Sequence, residues 1–290
     1  MNATWNTKAQ MSRSDGQRLT VRRFALEGQV PRHWFDNNVL LTHACNAQNM
    51  LFPALERFFV RTVRRNQHHT TDPVLRQEIR SFIGQEAQHG HSHDKALDIL
   101  REQGFRIDGW LGRFDGMLRA MERWAPSTLC LSVVAAVEHF TASVAECWLT
   151  EGKMDLAHPE MATMLGWHAA EEIEHKSVVF DLLMQVDARW SVRALGMLIA
   201  AVGLLLLLIS ATVMLLVQDP EATMARVMRE RRAASKQDIR ATRFLERHMV
   251  PYLRPGFHPD DNDNYHIAAA YLASIDGRLR TSPARRKKAV

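Results

Sequence analysis

Across residues 34–65 apolar side chains recur at the spacing of one helix face: Leu41, Phe52, Leu55, Phe59 and Val63. Positions three, four and seven apart share a side of a helix, so the pattern predicts an amphipathic helix with one buried stripe. Residues 68–72 break it. Thr71 or Asp72 before Pro73 marks a new start, because a short polar side chain caps free N–H groups and proline fits the first turn. That second helix runs to about Gln103, where Gly104 supplies the stop. Residues 104–127 hold Gly104, Gly109, Gly112, Gly116 and Pro126 among aromatic residues, and read as a crossover connection with some helix in it. A third helix is predicted from about Thr128 to Thr150, before Gly152, and a fourth from His158-Pro159 to about Val186. Two helical pairs joined by a longer link predict an all-α, ferritin-like four-helix bundle over residues 34–190. Residues 1–33 are polar and aperiodic, and read as an extended arm or short docking segment.

The period then disappears. Residues 194–217 contain 24 positions without one charge. As a helix they would be about 36 Å long, enough for a hydrocarbon core of roughly 30 Å. The expectation is a transmembrane or membrane-embedded helix, followed over residues 218–290 by a basic, helical C-terminal extension.

Composition changes this picture in two places. Of the formal charge of +5, much follows the apolar segment, at Arg226, Arg229, Arg231, Arg232, Lys236 and Arg240 and in the tail Arg285-Arg286-Lys287-Lys288. Beside an apolar segment such clusters point to anionic lipid headgroups rather than nucleic acid. Lys and Arg flank both ends of the segment, so the charge rule leaves its orientation open. No signal peptide is visible, which places the bundle on the cytoplasmic side of the membrane; the two cues are reconciled if the segment lies within one leaflet. Cys45, Cys130 and Cys147 show no pairing motif and read as thiols in a reducing compartment.

The candidate chemistry lies in the four predicted helices. Glu86 and His89 are three apart, as are Glu172 and His175, so each pair presents a carboxylate and an imidazole to one point. Each pair is preceded by a helix carrying a single Glu among apolar neighbours: Glu56 in Leu-Glu-Arg-Phe-Phe and Glu138 in Ala-Ala-Val-Glu-His-Phe. A carboxylate on an apolar stripe must be paired, neutralised or metal-bound. Four carboxylates and two imidazoles suit two metal ions, so Glu56, Glu86, His89, Glu138, Glu172 and His175 are the expected ligands, with the four glutamates also the catalytic candidates. His93, seven after Glu86, and His168, four before Glu172, share the ligand faces, as further ligands or as groups that orient a carboxylate. Glu171 competes with Glu172, and Glu171 or Glu174 is expected to face a neighbour or to pair with Lys176.

At these residues the chain resembles a bacterial family described as predicted metal-dependent hydrolases. The resemblance is carried by Phe52-Pro53-x-x-Glu56-Arg57-Phe58-Phe59, Gln85-Glu86-x-x-His89-x-x-x-His93, Glu138-His139-Phe140-Thr141, Trp167-His168-x-x-Glu171-Glu172-x-Glu174-His175-Lys176 and the late Arg254-Pro255-Gly256-Phe257-His258-Pro259. It implies metal dependence. The order Glu, Glu-x-x-His, Glu, Glu-x-x-His is also similar to the ferritin-like di-iron carboxylate proteins, which include monooxygenases, desaturases and ferroxidases.

Together these readings favour an O2-dependent di-iron oxidase or oxygenase acting on a small hydrophobic or lipid-like substrate, served by an electron-donor protein. The alternatives are a hydrolase using a metal-activated water, with Mn or Zn in place of Fe, and a non-enzymatic iron-handling membrane protein. No phosphate-binding loop, dinucleotide fingerprint or nucleic-acid module is present.

Overall fold

The computed structural model describes residues 19–235 and 244–281. Among them are nine helices of nine residues or more: α1 (Val39–Asn66), α2 (Pro73–Glu102), α3 (Asp108–Trp124), α4 (Ser127–Thr150), α5 (Pro159–His175), α6 (Val178–Val186), α7 (Trp190–Gln218), α8 (Met224–Ser235) and α9 (Tyr265–Ser274). The fold is all-α, as the periodicity predicts. Its described strands are one short antiparallel pair that ties the arm to the C-terminal extension, β1 (Arg22–Arg23) against β2 (Arg280–Thr281).

Local chemistry sets most helix ends. Asp72 accepts a hydrogen bond from the backbone N of Val74 at 2.8 Å, and Pro73 opens α2. Gly104 follows that helix with φ +91°, a left-handed conformation that favours glycine. α1 begins later than its apolar stripe predicts. Asp36 and Asn37 take positive φ, Asn38 caps the helix by accepting from Leu41 N at 2.8 Å, and Trp34 and Phe35 fold into the core. The link over 104–127 carries more helix than expected, all of α3. The predicted fourth helix is two, α5 and α6, divided at Lys176–Ser177, where Lys176 Nζ turns to Asn264 Oδ1 at 2.6 Å in the C-terminal extension.

α1 packs on α2 and α4, and α4 on α5. One apolar cluster joins α1, α2, α4, α6 and α7 through Phe58, Phe82, Leu131 and Phe180. A second joins the arm to α4, α5 and α9 through Phe24, Trp34, Met164 and Trp167. The arm of residues 19–33 is extended along the bundle. Residues 1–18, 236–243 and 282–290 lie outside the described residues, and with them Lys236, Arg240 and the basic tail.

Two helices are long and apolar enough to cross a membrane by length and composition, α4 and α7. α4 is a core helix, 72% buried over its most apolar stretch. α7 is 22% buried there and packs lengthwise on α1 and α4. Its start is held by Ser132 Oγ, which donates to Val192 O at 2.8 Å, and Asp219 at its end lies against His43 of α1. Gly196, Met197, Ala200, Leu204, Ala211 and Leu215 face the bundle, while Leu198, Leu205, Leu206 and Ile209 face outward. Anchored at both ends to the bundle, α7 turns one long apolar face outward.

Gly196 sets how closely α7 approaches. A Cβ there would lie 2.1 Å from Ser132 Oγ and 2.7 Å from its backbone carbonyl. Gly196→Ala is expected to lower stability by about 1–3 kcal/mol through overpacking, measured by urea unfolding. An unchanged midpoint would mean that the two helices are not in such close contact.

Candidate metal centre

Each of the four helices α1, α2, α4 and α5 contributes inward-facing groups at mid-bundle. Glu56, Glu86, His89, Glu138, Glu172 and His175 are all nearly or fully buried and converge on one place. Three sets of their atoms, drawn with His168, each lie within 4.8 Å of one another: Glu56, Glu86 and His89; His89, His168 and Glu172; Glu86, Glu138 and His175. His175 Nε2 is 3.3 Å from Glu138, 3.4 Å from Glu86 and 3.5 Å from Glu172. All six expected ligands therefore meet, and His168 joins them. His168 Nε2 is 3.0 Å from Glu172 Oε1. Gly90 lets Glu56 in: a Cβ at that position would lie 2.8 Å from Glu56 Oε2.

The hydrogen-bond network behind the imidazoles decides what they present to the centre. His89 Nε2 donates to Glu171 Oε2 at 2.9 Å, which leaves Nδ1 facing Glu86 and Glu172. His175 Nδ1 donates to Gln85 Oε1 at 3.2 Å; the amide of Gln85 in turn donates to Glu174, which fixes its oxygen toward the histidine. His168 Nδ1 donates to His93 Nε2 at 2.7 Å, and His93 Nδ1 donates to Asn49 Oδ1 at 2.9 Å. Three rings are thus pinned from outside, each with its other nitrogen turned inward. Arg22 closes the outer ring, 3.0 Å from Glu171 and 2.8 Å from Glu174.

His93 therefore orients His168, and Glu171 orients His89; Glu172, not Glu171, faces the centre. Glu174 pairs with Arg22, whereas the expected pairing with Lys176 does not form. Arg22 carried no signal in the sequence, because it lies 149 residues from Glu171 in an aperiodic arm. Asn49 and Gln85 could have been found as polar residues on otherwise buried stripes. Asn49 is one turn before Pro53 on the Glu56 helix, and Gln85 adjoins Glu86.

On the inner side the groups lack partners. Both carboxylate oxygens of Glu56, Glu86 and Glu138, with Nδ1 of His89 and Nε2 of His168 and His175, are buried and make no hydrogen bond. Burial, then the Glu172 charge, raises Glu56 well above the usual carboxylate range and raises Glu138 to about 7. Burial, then the Glu138 charge, raises Glu86 well above that range. Burial works the same way on Glu172, but His175 and His168 outweigh it and hold that group well below the usual range. His175 is raised well above its ordinary value by Glu138 and Glu172 despite its burial. So many uncompensated anionic oxygens in one apolar interior would be costly alone, whereas divalent cations offset their charge and fill their lone pairs. The donor set fits metal ions.

Phe82 and Trp167 wall the centre edge-on, with ring centroids 4.9 Å from His175 and His89 respectively. A narrow pocket of about 30 Å³ opens on His168 and Glu172 between Phe52, Thr141, Val144, Trp148 and Leu165. Thr141 Oγ1 donates to Glu172 Oε2 at its base. A larger pocket of about 370 Å³, lined by His139, Lys176, Arg247 and Arg254, includes none of the six. His258 in the late motif is structural: its Nε2 donates to Asp181 Oδ1 at 3.0 Å and its Nδ1 accepts from Asp260 N at 3.1 Å.

Glu171→Gln, which keeps the shape and removes the charge, is expected to weaken metal binding by roughly 10–100-fold without removing a ligand. Competition against a chromophoric chelator measures it, and wild-type affinity would mean that Glu171 does not orient His89.

No curated protein matches this chain, and no solved structure matches it. A family model described as "Predicted metal-dependent hydrolase" matches residues 20–263, from the β1 arm through all the metal-centre helices and α7 and well into the C-terminal extension, and the chain belongs to that family.

Proposed function

We propose that the chain is a two-metal hydrolase, in which Glu56, Glu86, His89, Glu138, His168, Glu172 and His175 hold the ions. The observation that supports this is the convergence of seven buried side chains, six of which carry inner atoms without a hydrogen-bond partner, in a member of a predicted metal-dependent hydrolase family. When bound, such ions would activate a water and polarise a scissile ester, amide or phosphoester. The chain's own groups hold that chemistry in place. Thr141 orients Glu172 through its hydroxyl, and the pinned imidazoles keep their tautomers. Phe52, Val144, Trp148 and Leu165 make the entrance apolar, which limits bulk water and favours a substrate with an apolar portion. The outward face of α7 would rest on a membrane, so that such a substrate could be drawn from lipid.

A second reading, O2-dependent oxidation at two irons with an outside electron donor, is favoured by one observation: four carboxylates outnumber the histidines, a donor set that suits iron as well as zinc or manganese.

Metal analysis of the protein purified from its native expression host, with parallel assays of O2 uptake and of hydrolysis on ester and phosphoester panels, separates them. About two zinc or manganese ions per chain with turnover of a hydrolysable substrate is the expected result. Two irons with O2 uptake would overturn it in favour of oxidation. Metal content unchanged in Glu86→Gln/Glu172→Gln would reject the centre itself.

A further inference from the structure

Among the described residues, a further trio of metal-ligating side chains lies outside the bundle centre. At the far end of α7, His33 from the arm, His43 from the first turns of α1 and Asp219 from the cap of α7 meet. His33 Nε2 and His43 Nε2 are both 2.7 Å from the same oxygen, Asp219 Oδ2. All three side chains are nearly or fully buried. The geometry points to a second metal site here, one divalent cation of the zinc class held by two imidazoles and one carboxylate.

Three features support a metal site over an ordinary polar contact. The donors come from three separate segments, and both rings present the same kind of nitrogen to one oxygen, with the three donor atoms within 4.8 Å of one another. Two imidazoles with one carboxylate is a borderline-soft set suited to zinc or cobalt, with positions left for water. Outer groups lie behind two of the three donors, while His43 Nδ1 is buried without a hydrogen-bond partner. Glu221 Oε2 lies 3.6 Å from His33 Nδ1, the nitrogen facing away from the trio, and the backbone N of Glu221 donates to Asp219 Oδ1 at 3.0 Å. Arg32, 3.8 Å from Asp219 Oδ1, is held aside by Gln103 O at 2.7 Å and by stacking on Phe105. At a metal–donor distance of about 2.1 Å tetrahedral donors are about 3.4 Å apart, so each imidazole must move out from Asp219 by about 0.7 Å to admit the ion.

Such an ion would pin the arm, α1 and the end of α7 together. The site shares no residue with the bundle centre, so it stands or falls separately from the proposed hydrolase.

The test uses the full chain titrated with Zn²⁺ and with Co²⁺. Wild type is compared with Asp219→Asn/His43→Gln and with the bundle variant Glu86→Gln/Glu172→Gln. The expected result is that the first variant loses one equivalent and keeps the bundle's metal. In the bundle variant, one equivalent should remain, with a Co²⁺ visible spectrum of low coordination number. Equal stoichiometry in wild type and Asp219→Asn/His43→Gln would overturn the site and leave a metal-free clasp in which Asp219 accepts two N–H bonds. Should that double variant not fold, His33→Gln alters the most accessible ligand: affinity weaker by at least roughly tenfold, at unchanged circular dichroism, supports the site, and wild-type affinity rejects it. Loss of the bundle's metal alone speaks only to the hydrolase reading.

Discussion

Chelated free of metal, the protein is expected to lose stability as the pH rises from about 6.5 to 8, while the metal-loaded protein gains it. In the metal-free chain Glu56, Glu86 and Glu138 keep their protons above the ordinary carboxylate range, because burial and then neighbouring carboxylates penalise the charge. The unfolded chain has already released those protons by pH 6.5. It therefore binds fewer protons than the folded state, and stability falls with rising pH until each folded group has titrated, Glu138 near 7. His175, also raised, pulls the same way. The lowered His89 and His93 act only below pH 6.5, where the unfolded imidazole is charged, and the lowered Glu172 only in the acid range. Glu138 alone, titrating near 7, accounts for a loss on the order of 1 kcal/mol between pH 6.5 and 8, and the other raised groups add to it. With metal present the sign reverses, since binding requires deprotonated ligands and strengthens as they ionise. Urea midpoints at the two pH values, with and without chelator, measure both slopes; parallel profiles would mean that the buried carboxylates do not hold metal.

The second large effect concerns α7. Leu198, Leu205 and Leu206 are 60%, 59% and 62% exposed, far more than large apolar residues on a soluble helix need be. The triple variant Leu198→Ser, Leu205→Ser, Leu206→Ser is expected to weaken association with lipid vesicles by about 4 kcal/mol, roughly a thousandfold in partition. Its stability should change little, because none of the three faces the bundle. Exposed Arg229 and Arg231 lie beyond the same helix end, so anionic vesicles should bind the wild type more strongly than neutral ones, and salt should reduce the difference. Vesicle co-sedimentation reads both. A wild type that ignores vesicles and instead forms a dimer disrupted by the triple variant would reassign this face to a second copy of the chain.

What the sequence alone determined was whatever depends on near neighbours. Helix ends at Asp72-Pro73, Gly104 and Gly152 follow from capping chemistry and from backbone conformations that glycine adopts without strain. The pairs Glu86 with His89 and Glu172 with His175 follow from the helical repeat, which brings residues three apart to one face whatever surrounds them. A lone carboxylate among apolar neighbours, as at Glu56 and Glu138, announces a buried charge in need of a partner, and these six residues do meet.

Only the tertiary structure decided what depends on distant segments. Glu171 and Glu172 are adjacent, and both are compatible with one turn of helix; the helix's rotation against α2 and the arm gives Glu171 to His89 and Arg22. His93 and His168 share the ligand faces equally in sequence, yet the polarity of their mutual hydrogen bond leaves only His168 with a lone pair toward the centre. The apolar run of α7 has the length of a bilayer span, but the close approach at Gly196 and the anchors at both ends lay it along the bundle. His33, His43 and Asp219 have no common spacing at all. Their meeting comes from chain topology, which brings the arm, α1 and the end of α7 to one corner, and no period along the sequence encodes a contact between residues 176 positions apart.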